Sequence, residues 1–227
     1  MQFDRFKLLV GDKFYNIENT TILLLGLGGV GSYVCESLIR SGISNIIIVD
    51  NDVIDITNLN RQLMSNMDNI GKYKTEVWKD RIKSINPNCH VTIINEFIDK
   101  SNIDKLFEYN IDYVIDACDT IDTKVLIIER CLKNNIKIIS CMGTGNKMDP
   151  SKLKIMDISK TSYDRLAKIM RRRLNELGIK HVLVVSSNEE EYTKIDKTIP
   201  SNSFVPATAG LLLTSYVIND IVGVNNV

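Results

Sequence analysis

An open, doubly wound α/β sheet, mostly parallel and with helices on both faces, is the fold this chain predicts. Two observations predict it. Short apolar runs at 22–25, 45–49, 91–94, 113–115 and 136–140 alternate with helical patterns at 30–41, 72–85, 102–108 and 123–134. Such alternation builds parallel strands joined by helical crossovers. The first run also ends in Gly26-Leu27-Gly28-Gly29-Val30-Gly31, and the second ends on Asp50.

The glycine turn is the most specific local signal. Gly26, Gly28, Gly29 and Gly31 lack Cβ atoms, so the backbone turns sharply there and approaches a phosphate, whose charge the helix N-terminus favours. Asp50, about 20 residues further on, is placed to accept hydrogen bonds from ribose hydroxyls. The pattern is Rossmann-like and fits a nicotinamide-binding domain as well as an ATP-using enzyme.

Beyond Asp149-Pro150 the alternation changes to a short strand (153–156), a basic helix (163–177), a strand (181–185), a polar loop (186–202) and an apolar terminal helix entered through Pro206. With 227 residues, 44% of them hydrophobic, one domain over 1–227 is expected, divided into a nucleotide-binding core at 1–145 and a C-terminal extension at 146–227. Lys+Arg and Asp+Glu both number 28, so a polyanionic partner must be held by a local patch. The start lacks a secretory pattern, and the longest apolar stretch, 204–218, is short for a bilayer and interrupted by Pro206. A cytoplasmic protein without a membrane partner is expected. The five cysteines are widely spaced with no Cys-x-x-Cys pair, which indicates neither a disulfide framework nor a tetrathiolate zinc site.

The residues after Asp50 ask for more than hydride transfer. Attack of a carboxylate on the α-phosphate of ATP builds charge on phosphate oxygens and on departing pyrophosphate, which Arg61 and Lys74 can neutralise. Asp119, in Asp116-Ala117-Cys118-Asp119, suits a magnesium ion bridging the phosphates. Taken singly, Arg61 and Lys74 also fit solvated surface charges, and Asp119 a helix N-cap.

Taken together, the glycine loop, Asp50, Thr57-Asn58-Leu59-Asn60-Arg61-Gln62, the helix start at Lys74 and the Asp119 turn resemble the ubiquitin-activating-enzyme-like adenylyltransferase superfamily over about the first 145 residues. The resemblance implies ATP contacts from Gly29, Asp50, Asn58, Arg61 and Lys74, with Asp119 on Mg2+. Arg5, in Phe3-Asp4-Arg5-Phe6, matches the superfamily arginine that enters the partner subunit's ATP site, which implies a homodimer. The remaining motifs are Cys141-Met142-Gly143-Thr144-Gly145-Asn146-Lys147-Met148-Asp149-Pro150, Asp157-Ile158-Ser159-Lys160-Thr161, Asp164-Arg165-Leu166-Ala167-Lys168 and Phe204-Val205-Pro206-Ala207-Thr208-Ala209-Gly210. These are similar to the tRNA threonylcarbamoyladenosine dehydratases. Such enzymes use ATP to activate a carboxylate on the modified adenosine beside the anticodon, and an internal nucleophile then closes a ring with loss of AMP.

A tRNA substrate implies a basic surface. Lys160, Arg165, Lys168, Arg171, Arg172, Arg173 and Lys180 face only Asp164 and Glu176 in that stretch. Arg165, Lys168 and Arg172 share a helical face, and with Arg171 they are the expected tRNA contacts. An amphipathic helix with a solvated exterior reads the same way. An adenylyltransferase for the C-terminal glycine of a ubiquitin-like sulfur carrier is the alternative activity. No cysteine follows Cys141, which favours internal cyclisation over thiol chemistry. A sulfur-relay protein docking on the surface is a further partner the resemblance allows.

Overall fold

A computed structural model of the chain describes residues 2–194 and 198–224. Seven strands form one sheet: β1 (Thr21–Leu25), β2 (Asn45–Val49), β3 (His90–Ile94), β4 (Tyr113–Asp116), β5 (Lys137–Cys141), β6 (Leu153–Asp157) and β7 (Leu183–Ser187). Their order is β3-β2-β1-β4-β5-β7-β6, and every pairing is parallel except β6 against β7. The chain thus runs outward from β1 to β3, then returns to place β4 on the other side of β1. That reversal leaves a crevice beyond the carboxyl ends of β1 and β4, where ligands of open α/β sheets sit.

Alternate residues of β1 serve opposite faces, as a two-residue repeat requires. Ile22 and Leu24 pack into one core with Val34, Cys35 and Leu38 of α3 (Gly31–Arg40), Trp78 and Ile82 of α4 (Lys74–Ile85), and Ala209, Leu213 and Val217 of α7 (Phe204–Ile221). Leu23 and Leu25 enter the second core with Val125, Ile127 and Ile128 of α5 (Ile121–Lys133), and Ala167, Met170 and Leu174 of α6 (Arg165–Glu176). Both faces of the sheet are therefore covered, which is what a parallel sheet with apolar strands demands.

The N-terminal segment, left unassigned by its sequence, forms α1 (Asp4–Val10) and α2 (Phe14–Asn19), with Phe14 packed between Phe3 and Phe6. The helical pattern at 102–108 is a 3-10 helix, Ile103–Glu108, rather than α. Six residues close too few i→i−4 bonds to sustain an α-helix, and burial of Ile103 and Leu106, three apart, suits the tighter repeat. The terminal helix runs on to Ile221. At 18 residues it is long and apolar enough to cross a membrane by length and composition, which corrects the shorter sequence estimate. Val205, Ala209, Leu213 and Val217 are nevertheless wholly buried in the first core, so this is a helix of the protein interior. Pro206 is accommodated because it lies in the first turn, where no backbone N–H is needed.

A candidate nucleotide-binding active site at the sheet reversal

The crevice has a volume of about 1080 Å³. It is larger than the roughly 300–1,000 Å³ typical of a small-molecule site. Gly26, Gly28, Gly29, Asp50, Asn58, Arg61, Lys74 and Asp119 all line it, although they come from five separate segments.

Two of the glycines are sterically required. Gly26 has φ +90°, and a Cβ there would lie 2.8 Å from the Ala117 carbonyl oxygen; at Gly31 a Cβ would meet the Gly26 oxygen at 1.8 Å. Gly31 thus lets α3 begin directly behind the turn, while Gly26, Gly28 and Gly29 face the crevice. The stem of Arg61 passes over Gly29, 3.4 Å from where a Cβ would sit.

Asp50 is held firmly at the crevice wall. One carboxylate oxygen accepts from the Leu27 N–H at 2.7 Å and the other from the Asp52 N–H at 2.8 Å. Burial pushes its carboxyl above the ordinary aspartate range, and the Lys74 ammonium at 3.8 Å opposes this. Lys74, the first residue of α4, is itself buried and pairs with Asp52 at 2.7 Å. The Asn58 side chain closes a capping box with Asp55, accepting from its N–H at 3.1 Å and so setting the short 3-10 turn Ile56–Asn58. Arg61 follows, donating to the Thr57 carbonyl at 2.8 Å and to Asn60 Oδ1 at 2.9 Å. These fixed partners of Arg61 are neutral, so its charge is available to an anion.

Asp119 is exposed at the rim, and among the described residues no cation pairs with it. One such carboxylate, completed by phosphate oxygens and water, is a donor set that Mg2+ takes. Among the described residues no group of three or more His, Cys, Asp or Glu could hold a metal without such help. Cys118 and Cys141 also line the crevice, but burial raises both thiols, Cys141 to about 12. Neither is a ready thiolate.

Other predicted residues lie elsewhere. Arg5 is exposed on α1, away from the crevice lining of its own chain. Arg165 lines the crevice and pairs with Glu191 at 2.6 Å; Lys168 and Arg172 are exposed along α6, with Glu176 3.9 Å from Arg172. The structure turns Arg171 toward the preceding loop: its guanidinium donates to the Thr161 carbonyl at 2.9 Å and to the Thr161 hydroxyl, so this expected tRNA contact is engaged within the chain.

Sequence reasoning missed several lining residues. Gln62 is buried, and among the described residues its Oε1 has no hydrogen-bond partner, an acceptor left for a ligand. It stands inside the motif that carries Asn58 and Arg61, so its position was visible although its role was not. Asp164 caps α6 through the Ala167 N–H and also accepts from the Gly143 N–H at 2.9 Å and the Ser186 hydroxyl at 3.0 Å, fixing the Gly143–Gly145 wall. The loop at 186–202 is tied across that wall. Glu189 accepts from the Met148 and Asp149 N–H groups, and the Asn146 amide pairs with both backbone groups of Thr193; residues 195–197 of the loop lie outside the described residues.

A family model described as the ThiF family matches residues 3–211. The chain belongs to the ThiF family. Within this family it is 41% identical to the tRNA threonylcarbamoyladenosine dehydratase of Bacillus subtilis (strain 168), over 97% of this chain and 94% of that protein. That places it among the ThiF-family tRNA threonylcarbamoyladenosine dehydratases. The Escherichia coli (strain K12) dehydratase is 38% identical over 75% of this chain and 65% of its own length. Crystal structures of the E. coli enzyme, TcdA, superpose closely. The complex with AMP gives a TM-score of 0.93 at 31% identity, covering 98% of this chain and 94% of that one. The complex with ATP gives 0.91 at 32% identity with the same coverage.

Proposed function

We propose that this ThiF-family protein is an ATP-dependent tRNA threonylcarbamoyladenosine dehydratase that closes the threonylcarbamoyl group on the adenosine beside the anticodon into a ring. The observation that carries the reading is the convergence of Arg61, Lys74 and Asp119 on one crevice with the glycine turn and Asp50. ThiF-family relatives that carry the dehydratase name, and one solved with ATP and with AMP, support it.

The chemistry follows from the placement of charge. A carboxylate oxygen of the threonylcarbamoyl group attacks the α-phosphorus of ATP, and the bond to pyrophosphate breaks. Arg61 and Lys74 stabilise the charge that develops on the phosphate oxygens, and Asp50 fixes the ribose. Asp119 would hold Mg2+, which would supply positive charge to offset that of the phosphates. A nucleophile of the same threonylcarbamoyl group then attacks the activated carbonyl, and AMP leaves with the carboxylate oxygen. The nucleoside has lost one water. No enzyme thiol is needed, in keeping with the raised Cys118 and Cys141.

A homodimer and a cytoplasmic setting belong to the same reading. The apolar side chains of Leu8 and Leu9 are 87% and 78% exposed on α1, which has no buried residue of its own. A second copy packed there would cover them and bring Arg5 to the neighbouring crevice. The basic residues Lys168 and Arg172 on α6 are proposed as tRNA phosphate contacts, with Arg165 at the crevice rim.

Incubation with ATP, Mg2+ and threonylcarbamoylated tRNA tests this directly. AMP should be released, and the modified nucleoside should lose the mass of one water. An unchanged nucleoside with folded protein contradicts the reading. Pyrophosphate exchange that requires a small Gly-Gly-ended protein and ignores tRNA would instead establish the sulfur-carrier alternative.

A further inference from the structure

Lys147 is buried at 4% exposure, and its ammonium donates to the carbonyls of Tyr163, at 3.1 Å, and Glu189. A buried ammonium satisfied by backbone carbonyls is costly to place, so its grip on those two loops needs a reason. Tyr163 supplies one. Its backbone has φ +55°, which a bulky L-residue rarely adopts, yet the residue is 59% exposed and lines the crevice. Strain is retained here without the reward of burying an aromatic.

The residues on both sides are fixed as well. The Ser162 hydroxyl reaches Asn188, and the Asp164 carboxylate is engaged by Gly143, Ser186 and Ala167. Leu166 and Ile169 of α6, three and six residues further along the chain, also line the crevice and add apolar groups to the side that carries Tyr163. The Arg165–Glu191 ion pair stands beside it.

Resting on the tRNA reading above, we propose that Tyr163 is a platform on which a nucleobase of the RNA substrate stacks, held at its strained angle by Lys147. An exposed ring on a tied backbone, lining a crevice proposed to hold phosphate, suits a flat π-face and a ribose-phosphate chain together. A base splayed from a loop presents both. The ring orders the modified nucleotide; it is a positioning residue and takes no part in proton or phosphoryl transfer.

Full-length wild type, Tyr163→Ala, Tyr163→Gly and Tyr163→Phe are compared for binding of threonylcarbamoylated tRNA, for KM and kcat with that tRNA, and for ATP binding. Loss of the ring should weaken tRNA binding about 10-fold and raise KM in step, with ATP binding unchanged, while Tyr163→Phe stays within about twofold of wild type. Tyr163→Gly relieves the strained φ, so a defect it shares with Tyr163→Ala reports the ring and not the fold. Wild-type tRNA affinity and KM in Tyr163→Ala would overturn the platform while leaving the dehydratase reading intact. A wild-type protein that neither binds nor converts tRNA overturns both.

Discussion

Lys124 Nζ lies 2.9 Å from Asp116 Oδ2, and neither side chain is exposed to solvent. The same ammonium donates to the Cys141 carbonyl at 2.8 Å and to Ser140 Oγ at 3.3 Å, and Ser140 Oγ donates to Asp116 at 2.6 Å. Asp116 also accepts from the Cys118 N–H. One buried network therefore stitches α5 to the ends of β4 and β5 beneath the loop that carries Asp119. Burial alone would lower the Lys124 pKa; the facing Asp116 carboxylate, together with the nearby Cys118 and Cys141, reverses this and raises it above the ordinary lysine value.

Lys124→Met should accordingly destabilise the protein by about 3–5 kcal/mol in urea unfolding, because it strands a buried carboxylate. Adding Asp116→Leu should return much of that loss, since removing both charges also removes their desolvation. A single variant within about 1 kcal/mol of wild type would show that the pair does not hold the fold together.

Arg61→Ala and Lys74→Ala should each lower kcat by about 10²-fold or more. Their ATP affinities should differ. Lys74 also neutralises Asp50 and Asp52, so its removal leaves two carboxylates beside a polyanion and raises the Kd for ATP, whereas the fixed partners of Arg61 are neutral. Equilibrium ATP binding separates the two, and a raised KM with normal kcat in both would reassign them to ground-state binding.

Arg171 and Arg172 are neighbours with opposite expected phenotypes. Arg172→Ala should weaken tRNA binding and reduce its salt dependence by about one phosphate contact, without loss of thermal stability. Arg171→Ala should lower the melting temperature, because it abandons the Thr161 carbonyl and hydroxyl. Salt titrations of tRNA affinity together with thermal melts check both.

Glu36 should contribute to acid sensitivity. Burial raises its pKa, but hydrogen bonds from Arg81 and Arg40 outweigh this and bring it below 4.5. A carboxylate with a lower pKa folded than unfolded contributes stability above its unfolded value, and that contribution fades as pH falls through the folded one. Glu36→Gln should therefore lower stability at pH 7 and flatten its decline between about pH 5 and 3. An unchanged acid limb in urea unfolding would contradict this role.

The parts of the site that depend on local chemistry were legible in the sequence. Glycines that must pass another backbone, and an acid ending the neighbouring strand, announce themselves because the constraint lies within a few residues. The N-terminal helices did not, since each is only six or seven residues long and α1 packs on the core through the partly buried Phe6 and Val10 alone, too short a run to display a helical period. The inward engagement of Arg171 was not legible because its partner Thr161 belongs to the preceding loop, and helical spacing says nothing about that loop. Asn146 and Lys147 look like solvent-facing loop residues until the stretch through Glu189 and Thr193 folds over them. Gln62, Asp164 and Tyr163 became visible once burial, unpaired atoms and backbone angles were known.

The central claim is that a carboxylate is activated by joining it to AMP in the crevice between β1 and β4. Threonylcarbamoylated tRNA carrying heavy oxygen in that carboxylate tests it most directly. After one turnover with ATP, mass spectrometry of the released AMP should find one heavy oxygen on its phosphate. Heavy oxygen recovered in water or inorganic phosphate, with unlabelled AMP, would contradict the account.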